Sequence, residues 1–216
     1  MATMRWKKIS DAVVRRLPLY LRVLEEAYQS GDVKLMSSQE LGERAGVSPA
    51  LVRKDLAWFG EFGKQGVGYE VRYLREELRK ILNLDREIRL AVIGMGSLGH
   101  ALVRYNQQRY REDQHFSLHI VALFDNDPAK INTQVDGLMI HPIDALAEVT
   151  RREGLQMAIV TVPASAAQQV VDRCVEAGIR AVLNFAPAKL TVPEGVHLAN
   201  ADVSLELQRL AYYLGE

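Results

Sequence analysis

A glycine-rich turn between residues 94 and 99 is the stretch whose residue types most directly predict ligand chemistry. Four apolar residues, Leu90 to Ile93, run into the pattern Gly-x-Gly-x-x-Gly. In a dinucleotide fold the first glycine allows a tight turn, the second lets a pyrophosphate approach the backbone, and the third lets the next helix pack closely. The N–H groups at the start of that helix then bind the anion. The predicted pyrophosphate site consists of Gly94, Met95, Gly96, Ser97, Leu98 and Gly99.

A carboxylate follows the next apolar segment, Leu118 to Phe124, and indicates which nucleotide the glycine turn binds. Asp125 would lie at the carboxyl end of that strand, where it can accept hydrogen bonds from both ribose hydroxyls. It would also repel the 2′-phosphate of NADP, so the sequence favours NAD. Asp125 lies 31 residues after Gly94, whereas about 20 is usual, and polar residues 107–114 are interpreted as an insertion. Alternatively, Asp125 and Asp127 only cap backbone amides of a turn.

The residues around the carboxyl ends of two further predicted strands, here called corners, would enclose the rest of such a coenzyme. Strands are predicted over Met157 to Val162 and over Ala181 to Phe185, with a crossover helix between them. This α/β pattern implies a parallel sheet with its ligand at the carboxyl ends of the strands. Apolar walls disfavour a ring with a fixed positive charge, so we expect NADH to bind more tightly than NAD⁺. The alternative is ordinary core and loop packing. The corner residues are Thr161, Val162, Pro163, Asn184, Phe185, Ala186 and Pro187.

The N-terminal third carries the pattern of a helix-turn-helix motif. A first long helix is expected to begin near Pro18 and to stop at Gly31. Two short helices follow, the first capped by Ser38 and the second capped by Ser48 with Pro49 in its first turn. Exposed residues early in the second helix would face base edges and phosphates in a major groove. A solvated helical hairpin in a protein–protein module is the alternative. The candidate DNA contacts are Ser48, Ala50, Arg53 and Lys54.

A glycine-rich hairpin over residues 58–71 follows this motif and is typical of a wing. Its tip holds Lys64 and Gln65, which could reach a minor groove. Charge is distributed unevenly, because residues 1–82 contain 15 Lys and Arg against 11 Asp and Glu, while residues 83–216 contain 12 against 16. The chain is neutral as a whole, but its basic N-terminal third favours an anionic macromolecule as a partner.

Size and composition place the chain among ordinary globular proteins. Its 216 residues, 48% hydrophobic and 25% charged, leave room for two small domains. The sequence lacks any run of about 18 apolar residues and any apolar N-terminal segment, so we expect no membrane span, no signal peptide and a cytoplasmic location. Cys174 is the single cysteine, which excludes an internal disulfide. The five histidines show no metal-ligand spacing, so we expect no metal and no catalytic residue.

Two motifs together resemble those of the Rex family of redox-sensing transcriptional repressors. The first is Val-Arg-Lys-Asp-Leu-x-x-Phe-Gly-x-x-Gly-Lys-x-Gly-Val-Gly-Tyr over residues 52–69, and the second is Val-Ile-Gly-Met-Gly-x-Leu-Gly over residues 92–99. The resemblance implies a winged helix-turn-helix domain joined to a Rossmann-like α/β domain that binds NAD(H) as a sensed ligand. It also implies a homodimer that binds an inverted-repeat operator in double-stranded DNA and leaves it when NADH rises. Gln65 departs from the basic residue that relatives often carry, so Lys64 is the clearer DNA contact.

The resemblance also assigns a polar switch and a dimer helix. In relatives a carboxylate matching Asp202 exchanges partners between residues matching Arg22 and Tyr105 as the nucleotide changes. From the residues alone, Asp202 is a helix N-cap and Arg22 a solvated charge. In the family the helix after this aspartate packs into the other subunit, whereas the local alternative is docking on its own sheet. The apolar residues of that helix are Val203, Leu207, Leu210, Ala211 and Leu214.

The predicted domains are a winged-helix domain over 1–82, a Rossmann-like domain over 86–198 and a dimerisation helix over 200–216. The favoured interpretation is a redox-sensing repressor and not an enzyme. One alternative is an NAD-dependent dehydrogenase with an appended helical domain, although 31 residues after Phe185 are too few for a substrate domain. The other alternative is a DNA-binding regulator that senses coenzyme A.

Overall fold

The chain folds into two compact units whose boundary lies between Arg86 and Glu87. The structure is a computed structural model, and it describes residues 9–31, 33–64, 66–113 and 115–215. Each unit has its own apolar core. None of the helices in these ranges is long and apolar enough to cross a membrane.

The N-terminal unit is a winged helix-turn-helix, as the sequence predicts. Its three short strands form an antiparallel sheet in the order β1-β3-β2. A core of leucine, valine and tyrosine side chains lies between the helices and this sheet. In chain order the elements are α1 (Asp11–Ser30), β1 (Leu35–Met36), α2 (Ser38–Ala45), α3 (Pro49–Ala57), β2 (Gly63–Lys64), β3 (Gly68–Glu70) and α4 (Val71–Ile81).

Helix α1 begins earlier than its proline suggests. It starts at Asp11 and contains Pro18 in its interior, so the prediction of a start near Pro18 is wrong. Proline has no N–H to donate to the carbonyl of Val14, which normally weakens a helix. Both Val14 and Pro18 lie on the exposed side, where water can bind that carbonyl. The buried face, which begins with Val13 and Leu17, continues past the proline, and its packing stabilises the helix.

The caps of the two short helices differ in one position from the prediction. Ser48 caps α3 as predicted, since its hydroxyl accepts a hydrogen bond from the Leu51 amide, and Pro49 follows it. Helix α2, however, is capped by Ser37, whose hydroxyl accepts from the Glu40 amide. A Ser-Ser pair offers two equivalent caps to sequence reasoning, and the backbone conformation decides between them.

The C-terminal unit is a doubly wound α/β domain. Its seven strands lie in the order β10-β9-β8-β4-β5-β7-β6, and all are parallel except β6, which pairs antiparallel with β7 at the edge. Without β6 this is the strand order of dinucleotide-binding folds, in which the ligand crevice lies where the order reverses, between β4 and β8. In chain order the elements are β4 (Ile88–Ile93), α5 (Ser97–Glu112), β5 (Leu118–Asp125), β6 (Gln134–Val135), β7 (Leu138–Pro142), α6 (Leu146–Glu153), β8 (Met157–Val160), α7 (Ala164–Glu176), β9 (Ala181–Asn184), β10 (His197–Asn200) and α8 (Val203–Ala211), with short 3₁₀ turns before α6 and after α8.

The long spacing between the glycine turn and Asp125 is explained by helix α5. Residues 107–112, interpreted from the sequence as part of an insertion, are the last turns of this 16-residue helix. The ladder between β4 and β5 shifts register next to Ile120. The Asn106 amide group donates to Leu118 and accepts from the Ile120 N–H, and Gln107 donates to the Ile120 carbonyl. The polar side chains of α5 therefore satisfy the backbone where the parallel ladder is interrupted.

Candidate functional site

The glycine turn between β4 and α5 has room for a ligand at one glycine and none at the other two. Gly94 has φ +100°, and a Cβ there would lie 2.8 Å from the backbone of Thr161. A Cβ on Gly99 would overlap the Gly94 carbonyl oxygen. A Cβ on Gly96 would have no other atom within 4 Å. The protein itself therefore requires glycine at the first and third positions, while the second leaves open space of the kind that a pyrophosphate needs.

Thr161 holds this turn in place from the neighbouring strand. Its Oγ1 donates to the Gly94 carbonyl oxygen at 2.6 Å, and its backbone N–H donates to the Ile93 carbonyl at 2.9 Å. Val162 follows it and is half-buried, with its Cγ1 2.9 Å from the Cβ position of Gly94, while Pro163 is exposed. The predicted 161–163 corner is thus adjacent to the glycine turn, and the threonine hydroxyl is engaged within the protein.

Asp125 lies at the carboxyl end of β5 and is almost fully buried, at 6% exposure. Its Oδ2 accepts from the Met95 amide at 2.7 Å, and its Oδ1 accepts from the amides of Asn126 and Asp127. Lys130 donates to the same carboxylate at 3.2 Å. Burial raises the pKa of Asp125, but these hydrogen bonds together outweigh it and hold the pKa below its ordinary value. The carboxylate is therefore ionised and joins the glycine turn to β5; its contact with ribose stays a prediction.

The corner after β9 is organised around a buried asparagine. Asn184 is 1% exposed, and its side-chain amide accepts from the Ala186 N–H and donates to the Ala186 carbonyl and to Asn200. Phe185 is half-buried, Ala186 is buried and Pro187 is exposed. Strands β4, β5, β8 and β9 are parallel neighbours, so all four predicted corners lie along one edge of the sheet. Along this edge Asn184 fixes the shape of its corner, and Phe185 and Pro187 are the residues after it that keep exposed surface.

The predicted DNA-contacting residues lie on α3 and the wing. Ala50, Arg53 and Lys54 are exposed on α3, and Lys64 is exposed on β2. Arg53 donates from Nη1 to Ser38 Oγ at 2.8 Å, which holds the guanidinium beside the start of α2. Gln65 lies outside the described residues. The groove between these helices and the wing is lined by Ser37, Ser38, Arg53, Gly63, Lys64, Gly66, Val67, Gly68 and Tyr69.

An ion pair between a buried carboxylate and a partly buried arginine, which the sequence reasoning missed, joins α3 to α1. Asp55 is 1% exposed and accepts from Arg16 Nε at 2.6 Å, from Arg16 Nη2 at 2.8 Å and from the Tyr20 hydroxyl at 2.7 Å. Burial raises the pKa of Asp55, but the hydrogen bonds from Arg16 and Tyr20 outweigh it and lower the pKa overall. A signal was available, because Asp55 shares its helix face with the apolar residues Val52 and Leu56.

We expect Asp55→Asn to destabilise the N-terminal unit by about 3 kcal/mol, because it leaves the Arg16 charge without its buried partner. Since the folded-state pKa of Asp55 is lowered, the wild-type contribution is present above the unfolded-state pKa and is lost as pH falls through the folded-state pKa. Both tryptophans, Trp6 and Trp58, precede the boundary at Arg86 in the sequence, so urea unfolding followed by tryptophan fluorescence reports on the N-terminal unit. The double variant Arg16→Met/Asp55→Asn should recover part of the loss; an unchanged urea midpoint in the single variant would contradict the assignment.

Two of the three proposed switch residues lie on helices α1 and α5, and the third precedes helix α8. Arg22 is exposed on α1, and Tyr105 is 61% exposed on α5. Asp202 caps α8, where its Oδ1 accepts from the Ser204 amide at 2.9 Å and from the Leu205 amide at 3.3 Å. Asp202 is therefore the N-cap that its sequence position indicates. Its exchange between partners stays a prediction.

The last helix exposes its apolar side chains. No residue of α8 is buried, and Leu207, Leu210 and Leu214 are 61%, 52% and 85% exposed. The local alternative, in which this helix docks on its own sheet, is therefore not what the structure shows. Exposed apolar surface of this extent on one short segment marks an interaction surface.

Comparison with known proteins identifies the family. Residues 8–57 match the family described as "Putative DNA-binding protein N-terminus", and residues 85–188 match the "CoA binding domain". The chain is 49% identical to the redox-sensing transcriptional repressor Rex of Brevibacillus brevis, over 96% of this chain and 98% of that protein. The chain belongs to the Rex family. It is also 46% identical to the Rex repressor of a Roseiflexus species, over 97% of this chain and 93% of that protein.

Solved Rex structures have the same fold. A crystal structure of RSP in complex with β-NAD⁺ and operator DNA is 37% identical, with a TM-score of 0.86, and covers 95% of this chain and 92% of its own. A structure of RSP in complex with β-NADH is 35% identical, with a TM-score of 0.82, and covers 96% and 94%. The Rex relatives are named transcriptional repressors, so the comparison supports a regulator and not the dehydrogenase alternative.

Proposed function

We propose that this Rex-family chain is a homodimeric, redox-sensing repressor that binds operator DNA when NADH is scarce and releases it when NADH binds. The observation that carries the proposal is that one chain contains both a candidate dinucleotide site and a candidate DNA-binding surface. The open position at Gly96 with the ionised Asp125 beyond it fits a dinucleotide. The exposed basic residues of α3 and the wing fit the DNA backbone. Its relative RSP has been crystallised with NAD⁺ and operator DNA and with NADH. Repression requires access to the chromosome, so we propose that the protein acts in the cytoplasm.

The choice of NAD(H) over coenzyme A rests on Asp125. A buried, ionised carboxylate at the end of β5 suits the two free hydroxyls of the adenosine ribose in NAD(H). Coenzyme A and NADP carry a phosphate on that ribose, and a carboxylate repels it. Residues 85–188 match the CoA binding domain, and we attribute this match to an α/β architecture that both kinds of domain share. NAD(H) is therefore the ligand that the residues favour.

We expect NADH to bind more tightly than NAD⁺, because the two corners proposed to enclose the nicotinamide are largely apolar. Val162 and Phe185 are half-buried and Ala186 is buried there, and an apolar wall penalises the positive charge of the oxidised ring. Isothermal titration of the full-length protein with each coenzyme gives the two dissociation constants. Equal constants, or a lower one for NAD⁺, would remove this explanation of redox sensing.

The exposed face of α8 supports the dimer. A symmetric dimer presents two recognition helices to half-sites one helical turn of DNA, or a multiple of it, apart. The free energy that drives dimerisation would come from burial of the leucine, valine and tyrosine side chains of α8 and the turn after it. The operator is accordingly expected to be an inverted repeat.

A gel-shift titration tests the proposed function. An A/T-rich inverted-repeat duplex is bound by the full-length protein, and NADH, NAD⁺ or coenzyme A is then added. We expect release by NADH at concentrations at which NAD⁺ and coenzyme A leave the complex intact. Release by coenzyme A alone would favour the rival sensor. Since phosphate contacts carry much of the affinity, binding should weaken steeply as salt rises.

A further inference from the structure

The direction in which α8 leaves the C-terminal unit is set at its root, residues 200–202. Because α8 buries none of its residues against its own chain, packing within the subunit does not orient it. The backbone N–H of Ala201 donates to the Asn184 carbonyl at 2.8 Å. The side chain of Asn200 accepts from Asn184 Nδ2 at 2.9 Å. The root thus continues the pairing of β10 with β9, and both of these bonds lead to Asn184.

Asn184 also shapes the corner that is proposed to face the nicotinamide. Its Oδ1 accepts from the Ala186 N–H and its Nδ2 donates to the Ala186 carbonyl, each at 2.9 Å. Since this side chain is 1% exposed, water does not compete for these bonds, and a buried amide that loses a partner is costly. One side chain is thus shared between the coenzyme corner and the start of the dimerisation helix.

We infer that Asn200 is a positioning residue: its side-chain oxygen ties the root of α8 to the 184–187 corner, so that a shift of that corner on coenzyme binding reorients α8. This inference rests on the proposed function. Asn200 itself is exposed and belongs to the root, so its contribution is separable from coenzyme binding. The Ala186 bonds of Asn184 remain when Asn200 is changed.

The test compares Asn200→Ala with Asn200→Asp. The alanine variant removes the acceptor for Asn184 Nδ2, whereas the aspartate keeps an oxygen at the same place. For Asn200→Ala we expect NADH affinity without DNA to stay within about twofold of wild type. The NADH concentration that releases half of the operator should rise about fivefold, as expected from the loss of one hydrogen bond. Asn200→Asp should release operator as the wild type does. His197→Ala, an exposed change on the same strand β10, serves as the matched control.

The outcomes separate this inference from the proposed function. If wild-type protein is not released by NADH, the proposed function fails. If wild type responds and Asn200→Ala responds identically, or if Asn200→Asp is impaired as much as Asn200→Ala, the inference is overturned. Melting curves show whether both variants are folded. Reduced release in a folded Asn200→Ala variant, together with normal release in Asn200→Asp, supports the inference.

Discussion

Gly96→Ala is expected to fold as the wild type does and to lose most of its response to NADH. At Gly96 φ is −81°, a conformation open to any residue, and an added Cβ meets nothing within 4 Å. The methyl group would instead occupy space proposed for the pyrophosphate. Overpacking of a filled contact costs about 1–3 kcal/mol, so NADH affinity should fall roughly 5- to 150-fold. Calorimetric titration and a thermal melt measure the two quantities.

Gly99→Ala is the contrasting variant. Its Cβ would overlap the Gly94 carbonyl oxygen, so we expect it to lose stability as well as NADH binding. Operator affinity in the absence of coenzyme controls for the integrity of the DNA-binding unit in both variants. Normal NADH affinity in Gly96→Ala would show that the pyrophosphate lies elsewhere.

The double variant Leu207→Glu/Leu210→Glu is expected to be monomeric and to bind operator about 100-fold more weakly or worse. Both side chains are more than half exposed in the single chain, so the change does not disturb its own core. Two charges on the proposed dimer face oppose its burial. A monomer contacts one half-site, and loss of the second contact removes the gain from bivalent binding, which is about 10²- to 10⁴-fold. Sedimentation velocity and gel shift measure the two effects.

Glu206→Gln provides the matched control on the same helix. Glu206 forms an exposed ion pair with Arg209, and such pairs contribute about 0–1 kcal/mol. We expect this variant to remain dimeric and to bind operator normally. A double leucine variant that stays dimeric at micromolar concentration would place the dimer interface elsewhere on the chain.

The architecture was predictable from the sequence where one local rule dominated. The glycine turn, the parallel strands around it and the Ser48-Pro49 start of α3 follow from backbone requirements of glycine and proline and from apolar periodicity. Helix α1 could not be placed in this way, because the loss of one hydrogen bond at Pro18 is offset by tertiary burial of Val13 and Leu17. The antiparallel edge strand β6 has two residues, too few to give a period.

The candidate sites were predictable in their location but not in their internal bonding. The sequence places Asp125 and Asn184 at strand ends along one edge, yet it does not indicate that Asn184 bonds to Asn200, since the two lie on different strands. The Asp55–Arg16 pair could not be predicted for a similar reason, because 39 residues separate its members in the sequence. Long-range polar pairs leave no periodic signal. They become visible when the packing of neighbouring elements is known.

The central claim is that NADH binding and operator binding oppose each other in one molecule. Such coupling is reciprocal, so it can be measured from the coenzyme side. The most direct test is the dissociation constant of NADH measured on the full-length protein with and without saturating operator duplex. We predict that operator weakens NADH binding roughly 5- to 150-fold, which corresponds to a coupling of about 1–3 kcal/mol. An identical dissociation constant in both titrations would contradict the account.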